Sequence, residues 1–382
     1  MRVGIVGAGI SGLYLASLLG EQGHEVDLYD PRTPWEKPCG GGITCRAYSA
    51  FPVLNDFRPQ CLAVHQMRMI APDGEHCSVS YTDPILIASR HDLGRYLLEG
   101  LESKESVKFL RANVDRVLPQ GHGWRLYAGK RGYDCDLLIG ADGVNSLVRR
   151  TVSERFPKED TALAVGYWIE GISREPEVVI GFLQGLSGYI WVFPRKDHLS
   201  AGIAVRTGET TGKKLFSCLD DFLKKNLPVL EKRNRRRYSA LIPSLSREGF
   251  LNNRICGGNW ALVGDASGFV DPITGEGIYY AFRSAELLSE ALSGGGLMAY
   301  EEACRRDMVP ELDCASSYVH RFYDPRVTNR LVRLAGEHPS IRMLLAGLLA
   351  GTQGYLSLKK DLLGILPGLT RDALSGIFRN KK

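Results

Sequence analysis

Gly7, Gly9 and Gly12 stand directly after an apolar run, residues 3–6, at the head of the chain. Glycines at that spacing suit phosphate chemistry. Gly7 permits a tight turn, Gly9 lets a pyrophosphate approach the backbone, and Gly12 lets helix and strand pack closely. The turn continues through Ile10 and Ser11 into LYLASLLGEQG, whose apolar residues recur at helical spacing. The first N–H groups of that helix, Ser11 among them, have no partner within it and can hold an anion. A second apolar run, residues 26–29, stops at Asp30, a carboxylate placed to accept hydrogen bonds from a ribose diol. The order strand, turn, helix, strand, acid is that of a dinucleotide fingerprint. FAD and NAD share it, so these residues alone do not choose between them.

Two later segments weigh toward FAD. In CDLLIGADGVNSLVRR, residues 137–139 read as a buried strand and Asp142-Gly143 as a turn before a helix that starts near Ser146. In NWALVGDASGFVDPITGEGIYYAFRSAELLSEAL, a strand over 261–263 ends at Gly264-Asp265. A loop carrying Gly275 and Gly277 follows, and a long helix opens at Ile278. A carboxylate at the end of such a strand can bind ribityl hydroxyls. The helix N-terminus beside it stabilises the negative charge of a reduced flavin.

A third set of residues could touch a substrate. Cys39 precedes Gly40, Gly41 and Gly42, and consecutive glycines let a backbone lie flat against a planar ring, where any β-carbon would collide. Cys39 is then a thiol close to that ring. In GYIWVFP, residues 188–194, strand alternation places Tyr189, Trp191 and Phe193 on one face. Such an aromatic stripe is either sheet core or the wall of an apolar pocket.

The glycine fingerprint, the Asp-Gly segment and the late Gly-Asp segment together resemble the flavoprotein group of aromatic hydroxylases, flavin halogenases and geranylgeranyl reductases, over about residues 1 to 320. Within that group, Pro38-Cys39-Gly40-Gly41 and the Tyr189, Trp191, Phe193-Pro194 pattern resemble the geranylgeranyl reductase family. The resemblance implies that Arg90 helps to hold FAD and that Val114 lies near the adenine. It also implies that Cys39 lies near flavin and substrate, and that the aromatic stripe lines a pocket for an isoprenoid chain. The family continues with Gly-x-Gly on the next strand. This chain has Gly202-Ile203-Ala204, so Gly202 matches and Ala204 departs. The tryptophan-rich motif and catalytic lysine of the halogenases are not evident.

These residues need a particular scaffold. The pattern predicts an α/β protein with a Rossmann-like FAD-binding domain from residues 1–60, 85–150 and 250–320. An inserted antiparallel-sheet substrate domain takes 61–84 and 151–249, and a helical C-terminal region takes 321–382. VVIGFLQ, GYIWVFP and LSAGIAVR read as a meander, with an amphipathic helix over 217–227 outside it. The net charge of +5 gives no case for nucleic acid, and the nine cysteines include no CxxC pair. An iron–sulfur cluster or zinc knuckle is therefore not expected. The N-terminal segment lacks the features of a signal peptide, and no apolar run reaches the roughly 18 residues of a spanning helix. A cytoplasmic protein with reduced cysteines is expected. The basic run KRNRRR at 232–237 is either a solvated face or a docking site for anionic lipid or a diphosphate. The apolar C-terminal segment that begins RMLLAGLLAG either packs on the core or rests on a membrane.

The expected function is reduction of an isoprenoid C=C bond. Reduced FAD gives a hydride from N5 to one carbon while a proton reaches the other, with Cys39, Tyr189 and Trp191 at the contact and Phe193 gripping the chain. NADPH or a reduced carrier protein would supply the electrons, and the substrate is a prenyl small molecule or lipid. Two other functions fit the FAD motifs: a monooxygenase acting on an aromatic or polyketide-like substrate, and a flavin electron carrier or redox sensor.

Overall fold

The computed structural model describes residues 1–171 and 176–365. Two compact units divide the chain. The first comprises Met1–Lys37, Ser89–Ala162 and Leu241–Asp313; the second comprises Pro38–Ala88, Leu163–Ala240 and the residues from Cys314 onward.

The first unit is built on a six-stranded sheet. Its order is Cys256–Gly257, Trp260–Leu262, Leu137–Gly140, Arg2–Val6, Glu25–Tyr29, Val107–Leu110. Neighbours pair in parallel, except for the antiparallel first pair. Val3, Ile5, Leu28, Leu138 and Ile139 are wholly buried, as central parallel strands require when both faces of the sheet are covered. The chain leaves Arg2–Val6 toward Glu25–Tyr29 on one side and returns as Leu137–Gly140 on the other. The carboxyl end of Arg2–Val6 is thus a topological switch point, the place where open α/β sheets bind ligands. Helices Ile10–Glu21 and Ile278–Leu292 pack on each other there, with the Tyr14 and Phe282 ring centroids 4.7 Å apart. A small antiparallel meander, Arg116–Gln120, Gly123–Ala128 and Arg131–Cys135, closes an apolar cluster that includes Trp124, Leu126, Leu138 and Leu262.

The second unit carries an eight-stranded sheet. Its order is Arg235–Pro243, Thr161–Glu170, His198–Arg206, Gly188–Pro194, Glu177–Phe182, Leu62–Ile70, His76–Ile87, Gly42–Ile43. The three central strands form the antiparallel meander that the alternation predicts. One join, between Glu177–Phe182 and Leu62–Ile70, is parallel, so the sheet is mixed. Ile190, Val192, Ile203 and Val205 face a core closed by helix Gly212–Asn226 through Leu215, Leu219 and Leu223. This helix starts ahead of residue 217 because the Thr211 hydroxyl accepts from Lys214 N at 3.4 Å and caps it. The basic run opens the edge strand Arg235–Pro243, where charge discourages further strand pairing. Arg235 Nη1 lies 3.0 Å from Asp220 Oδ1.

Helices Pro325–Glu337 and Pro339–Ala350 pack against His76–Ile87, and the Tyr81 hydroxyl donates to the Ala346 carbonyl at 3.2 Å. Ile341, Leu345 and Leu348 are buried. Residues 366–382 of the expected C-terminal region lie outside the described residues. Among the described residues no helix is long and apolar enough to cross a membrane.

The unit boundaries differ from those drawn on the sequence for physical reasons. Residues 38–60 and 85–88 go with the eight-stranded sheet, because Gly42–Ile43 pairs with the end of His76–Ile87. Residues 151–162 and 241–249 go with the first unit, where the N–H groups of Ser244 and Ser246 donate to the Asp160 carbonyl and carboxylate at 2.9 and 2.7 Å.

Candidate active site

The glycine turn of the first unit is shaped by the protein at two positions and open at the third. Gly7 has φ +101°, and a β-carbon there would lie 2.4 Å from the Ala141 carbonyl oxygen and 2.6 Å from Asp142 Cα. At Gly12 a β-carbon would lie 2.0 Å from the Gly7 carbonyl oxygen. Gly9 has φ −68°, and its β-carbon would meet nothing nearer than the Ala141 oxygen at 3.9 Å. The space over Gly9 is therefore a cradle that fits a pyrophosphate. Helix Ile10–Glu21 behind it has no side-chain cap and no acidic residue in its first turn, so its positive end faces that space uncompensated. Asp30 fastens the turn: Oδ2 accepts from Ala8 N at 3.0 Å, and Oδ1 from Arg32 N at 2.8 Å and Thr33 N at 3.0 Å. A carboxylate offers about four acceptor positions, so capacity remains for a diol. Val114 is buried in an apolar cluster with Val6 and Tyr29.

Asp142 stands against this turn through its backbone, and Gly143 follows it at φ +79°. The Asp142 side chain is committed to helix Leu147–Val152: it accepts from Leu147 N at 2.6 Å, Val148 N at 3.3 Å and the Ser146 hydroxyl. Burial pushes its carboxyl above the usual range against the pull of those bonds.

Asp265 joins the starts of two helices. A β-carbon at the preceding Gly264 would lie 2.7 Å from Ser11 Oγ, and one at Gly277, the N-cap of Ile278–Leu292, would lie 3.5 Å from Asp265 Oδ1. Like the first helix, Ile278–Leu292 has no side-chain cap and no acidic residue in its first turn. Gly275, at φ +70°, closes the loop before it by donating to the Asp271 carbonyl at 2.9 Å. Lys37 Nζ lies 2.6 Å from Asp265 Oδ2. Burial alone would raise the Asp265 carboxyl, but the Lys37 ammonium, and then the Arg90 guanidinium, hold it below the usual range. Arg90 opens helix Arg90–Glu99, whose first N–H groups, Arg90 N and His91 N, donate to Glu36 at 3.2 and 3.3 Å.

The remaining expected residues form a cluster of their own in the second unit. β-Carbons at Gly40 and Gly42 would lie 2.8 and 2.9 Å from the Phe193 ring. The Phe193 ring is therefore packed on the side of this backbone that β-carbons at Gly40 and Gly42 would occupy. Gly41 has φ +83°, and a β-carbon there would lie 2.2 Å from the Ala88 carbonyl oxygen. Its N–H donates to Cys39 Sγ at 3.0 Å. Trp191 pairs across the sheet with Gly202, where a β-carbon would lie 2.2 Å from the indole Cζ2, so the indole occupies the space that a side chain there would take. Tyr189 pairs with Ala204, its ring centroid 5.9 Å from that of Trp191. Trp191 is buried, and Tyr189 and Phe193 are half-buried.

Residues 5–53 match the NAD(P)-binding Rossmann-like domain family. Over 343 residues the chain is 30% identical to geranylgeranyl diphosphate reductase, chloroplastic, of Oryza sativa subsp. japonica, covering 82% of this chain and 71% of the rice protein. The chain belongs to the geranylgeranyl reductase family. It is an oxidoreductase of that family, and its cofactor is a flavin. A digeranylgeranylglycerophospholipid reductase of Methanothrix thermoacetophila is 28% identical over 335 residues, covering 80% of this chain and 83% of that protein. The fold matches a geranylgeranyl bacteriochlorophyll reductase-like protein from Thermoplasma acidophilum with a TM-score of 0.77 at 20% identity, covering 95% of this chain and 98% of that one. The chain spans about two thirds of the length of other plant relatives.

Two residues beside Asp265 and Arg90, Lys37 and Glu36, escape a reading by motif. Lys37 and Glu36 act over long sequence separations, and their nearness to Cys39 is the only local signal. Arg149 is buried and reaches Ala266 O at 3.2 Å, Asn253 Oδ1 at 3.1 Å and Glu154 O at 2.8 Å, tying helix Leu147–Val152 to the loop after Asp265. Burial brings its guanidinium down to about 10, against the opposing charges of Asp160 and Glu154.

Proposed function

We propose that this member of the family is an FAD-dependent enzyme that saturates C=C bonds of an isoprenoid chain. The observation that carries the reading is the pairing of ring with glycine on one face of the second unit's sheet: Trp191 over Gly202, and Phe193 against Gly40 and Gly42. The opposite face of the same strand, Ile190 and Val192, is already committed to the core under helix Gly212–Asn226. Rings packed directly on glycine make an apolar wall, which suits a long methyl-branched isoprenoid chain better than a compact polar substrate.

Bound FAD supplies the hydride. Gly9, Ser11 and the helix start at Ile10 would hold its pyrophosphate, and Asp30 a ribose. Asp265, with Lys37 and Arg90, and the helix start at Ile278 would hold the flavin portion, while Gly7, Gly12, Gly143, Gly275 and Gly277 shape the turns. Cys39, Tyr189 and Trp191 are assigned to the substrate contact, with Phe193 and Gly202 completing the wall. An isolated alkene is barely polarised, so these residues must keep the chain still and dry while one carbon takes hydride and the other a proton. NADPH or a reduced carrier protein supplies the electrons. The relatives named for geranylgeranyl diphosphate and for digeranylgeranylglycerophospholipid support a prenyl diphosphate or prenyl lipid as substrate.

The test is product analysis. Holoenzyme with a chemical reductant is given geranylgeranyl diphosphate or a digeranylgeranyl glycerolipid, and products are read by mass spectrometry. Products heavier by two hydrogens per bond are expected. An oxygenated product formed only in air would replace this reading with a monooxygenase.

A further inference from the structure

We infer that Tyr238 and Ser200 are positioning residues that set the Cys39 turn through a one-way hydrogen-bond relay, with Arg195 as its second anchor. The inference rests on the reading above, in which Cys39 contacts substrate. The Cys39 carbonyl oxygen accepts from Arg195 Nη2 at 2.8 Å and from Ser200 Oγ at 2.9 Å. Ser200 Oγ lies 3.1 Å from the Tyr238 hydroxyl, which is also 3.2 Å from the Ala201 carbonyl. Proton counting gives the direction. A serine hydroxyl has one proton, and here it goes to Cys39. Toward Tyr238 the serine oxygen can only accept, so Tyr238 donates, dividing its proton between Ser200 and Ala201. Each bond in such a chain polarises the next.

The relay is sealed and its parts are fixed. Ser200 is 0% exposed, Arg195 2% and Tyr238 6%. A β-carbon at Gly166 would lie 2.4 Å from Tyr238 Cζ, so this glycine makes room for the phenol, and the Trp168 ring centroid is 4.5 Å from that of Tyr238. Burial pushes the Tyr238 hydroxyl upward, which keeps it a donor. Apolar side chains would fill this space with less desolvation cost than a guanidinium and two hydroxyls. What the polar groups share is one endpoint, the carbonyl of the residue whose thiol sulfur accepts the Gly41 N–H at 3.0 Å. Gly41 in turn is held by its positive φ and by its carbonyl, which accepts from Ala88 N at 2.9 Å. Cys39 is thereby gripped at carbonyl and thiol from two sides.

The experiment measures alkylation of Cys39 by iodoacetamide in the holoenzyme without substrate, read peptide by peptide, with the similarly half-buried Cys45 as internal control. Tyr238→Phe keeps the ring and removes the hydroxyl, and Ser200→Ala breaks the relay. Each should change the Cys39 rate by about threefold or more, the scale of one net hydrogen bond. The double variant should match Ser200→Ala alone, and the Cys45 rate should hold. Arg195→Lys, which keeps a donor for the carbonyl, should recover part of what Arg195→Met loses. Wild-type Cys39 rates in both single variants would overturn the relay, as would additive effects in the double variant. Equal changes at Cys39 and Cys45 would reduce the cluster to general packing and overturn it too. Cys39→Ala with undiminished prenyl reduction would instead overturn the catalytic reading of Cys39 and leave the relay standing.

Discussion

Replacing Gly9 by alanine separates cofactor binding from folding. Gly7 and Gly12 are required by the protein itself, since β-carbons there would lie 2.4 and 2.0 Å from backbone oxygens. Contacts that short must be relieved by moving backbone, and Gly7→Ala or Gly12→Ala should each cost about 3 kcal/mol or more. Gly9 sits at φ −68° with 3.9 Å to the nearest atom, so alanine is sterically tolerated. Its cost is at most about 1 kcal/mol, the difference between glycine and alanine at a helix N-cap. The same methyl stands in the space assigned to the pyrophosphate. Loss of one hydrogen bond to a charged group is worth about 1.5–3 kcal/mol, or about ten- to a hundredfold in affinity. The assay pairs thermal denaturation of each apoprotein with FAD titration by fluorescence quenching. Gly9→Ala should melt close to wild type and bind FAD about tenfold or more weakly, whereas Gly12→Ala should melt early. Wild-type FAD affinity in Gly9→Ala would refute the pyrophosphate placement, and a melt as early as that of Gly12→Ala would refute the open cradle.

Further outcomes follow from the charges, thiols and rings. Against the upward push of burial, Lys37 holds the Asp265 carboxyl low, so the stability from this pair is present above the unfolded value near 4 and lost as pH falls through the lower folded value. Lys37→Gln should therefore move acid-induced FAD release to higher pH; an unmoved midpoint would remove Lys37 from the site. Burial pushes the thiols of Cys61 and Cys135 up to about 12 and that of Cys256 to about 11. Native alkylation at pH 8 should leave these three unlabelled while Cys45 reacts, and labelling at equal rates would contradict their burial. The same raised thiols contribute stability in full below the unfolded value near 9 and progressively less above it, so the melting temperature should fall as pH rises from 9 toward 11. Gly202→Val puts a side chain 2.2 Å from the Trp191 indole. It should shift tryptophan fluorescence and raise KM for the prenyl substrate severalfold with flavin content unchanged, and an unaltered KM would take Trp191 out of the substrate wall.

The parts of this molecule that were legible in the sequence are those governed by local sterics. The turn at Gly7 and Gly12 tolerates no β-carbon, so the glycines appear in the sequence as directly as the backbone needs them. The stripe Tyr189, Trp191, Phe193 was legible because strand alternation is a property of consecutive residues. The partner of a flat glycine backbone is a different matter. Gly40 and Gly42 announce that something planar lies against them, but that the Phe193 ring packs on their β-carbon side depends on a contact made over about 150 residues of chain. Lys37, Arg195, Ser200 and Tyr238 were silent for the same reason: a lysine, an arginine or a hydroxyl carries no signature of its role until the fold brings its partner to it. The basic run at 232–237 reads as either a solvated face or a docking site, and it opens an edge strand, where charge has a structural use.

The central claim is that reduced flavin in this protein delivers hydride to an isoprenoid double bond. Its most direct test is anaerobic: reduce the holoenzyme with dithionite, mix with geranylgeranyl diphosphate or a digeranylgeranyl lipid, and follow flavin absorbance. Reoxidation in step with formation of a product carrying two more hydrogens is the predicted result. Flavin that stays reduced with every prenyl substrate until oxygen is admitted would contradict the account.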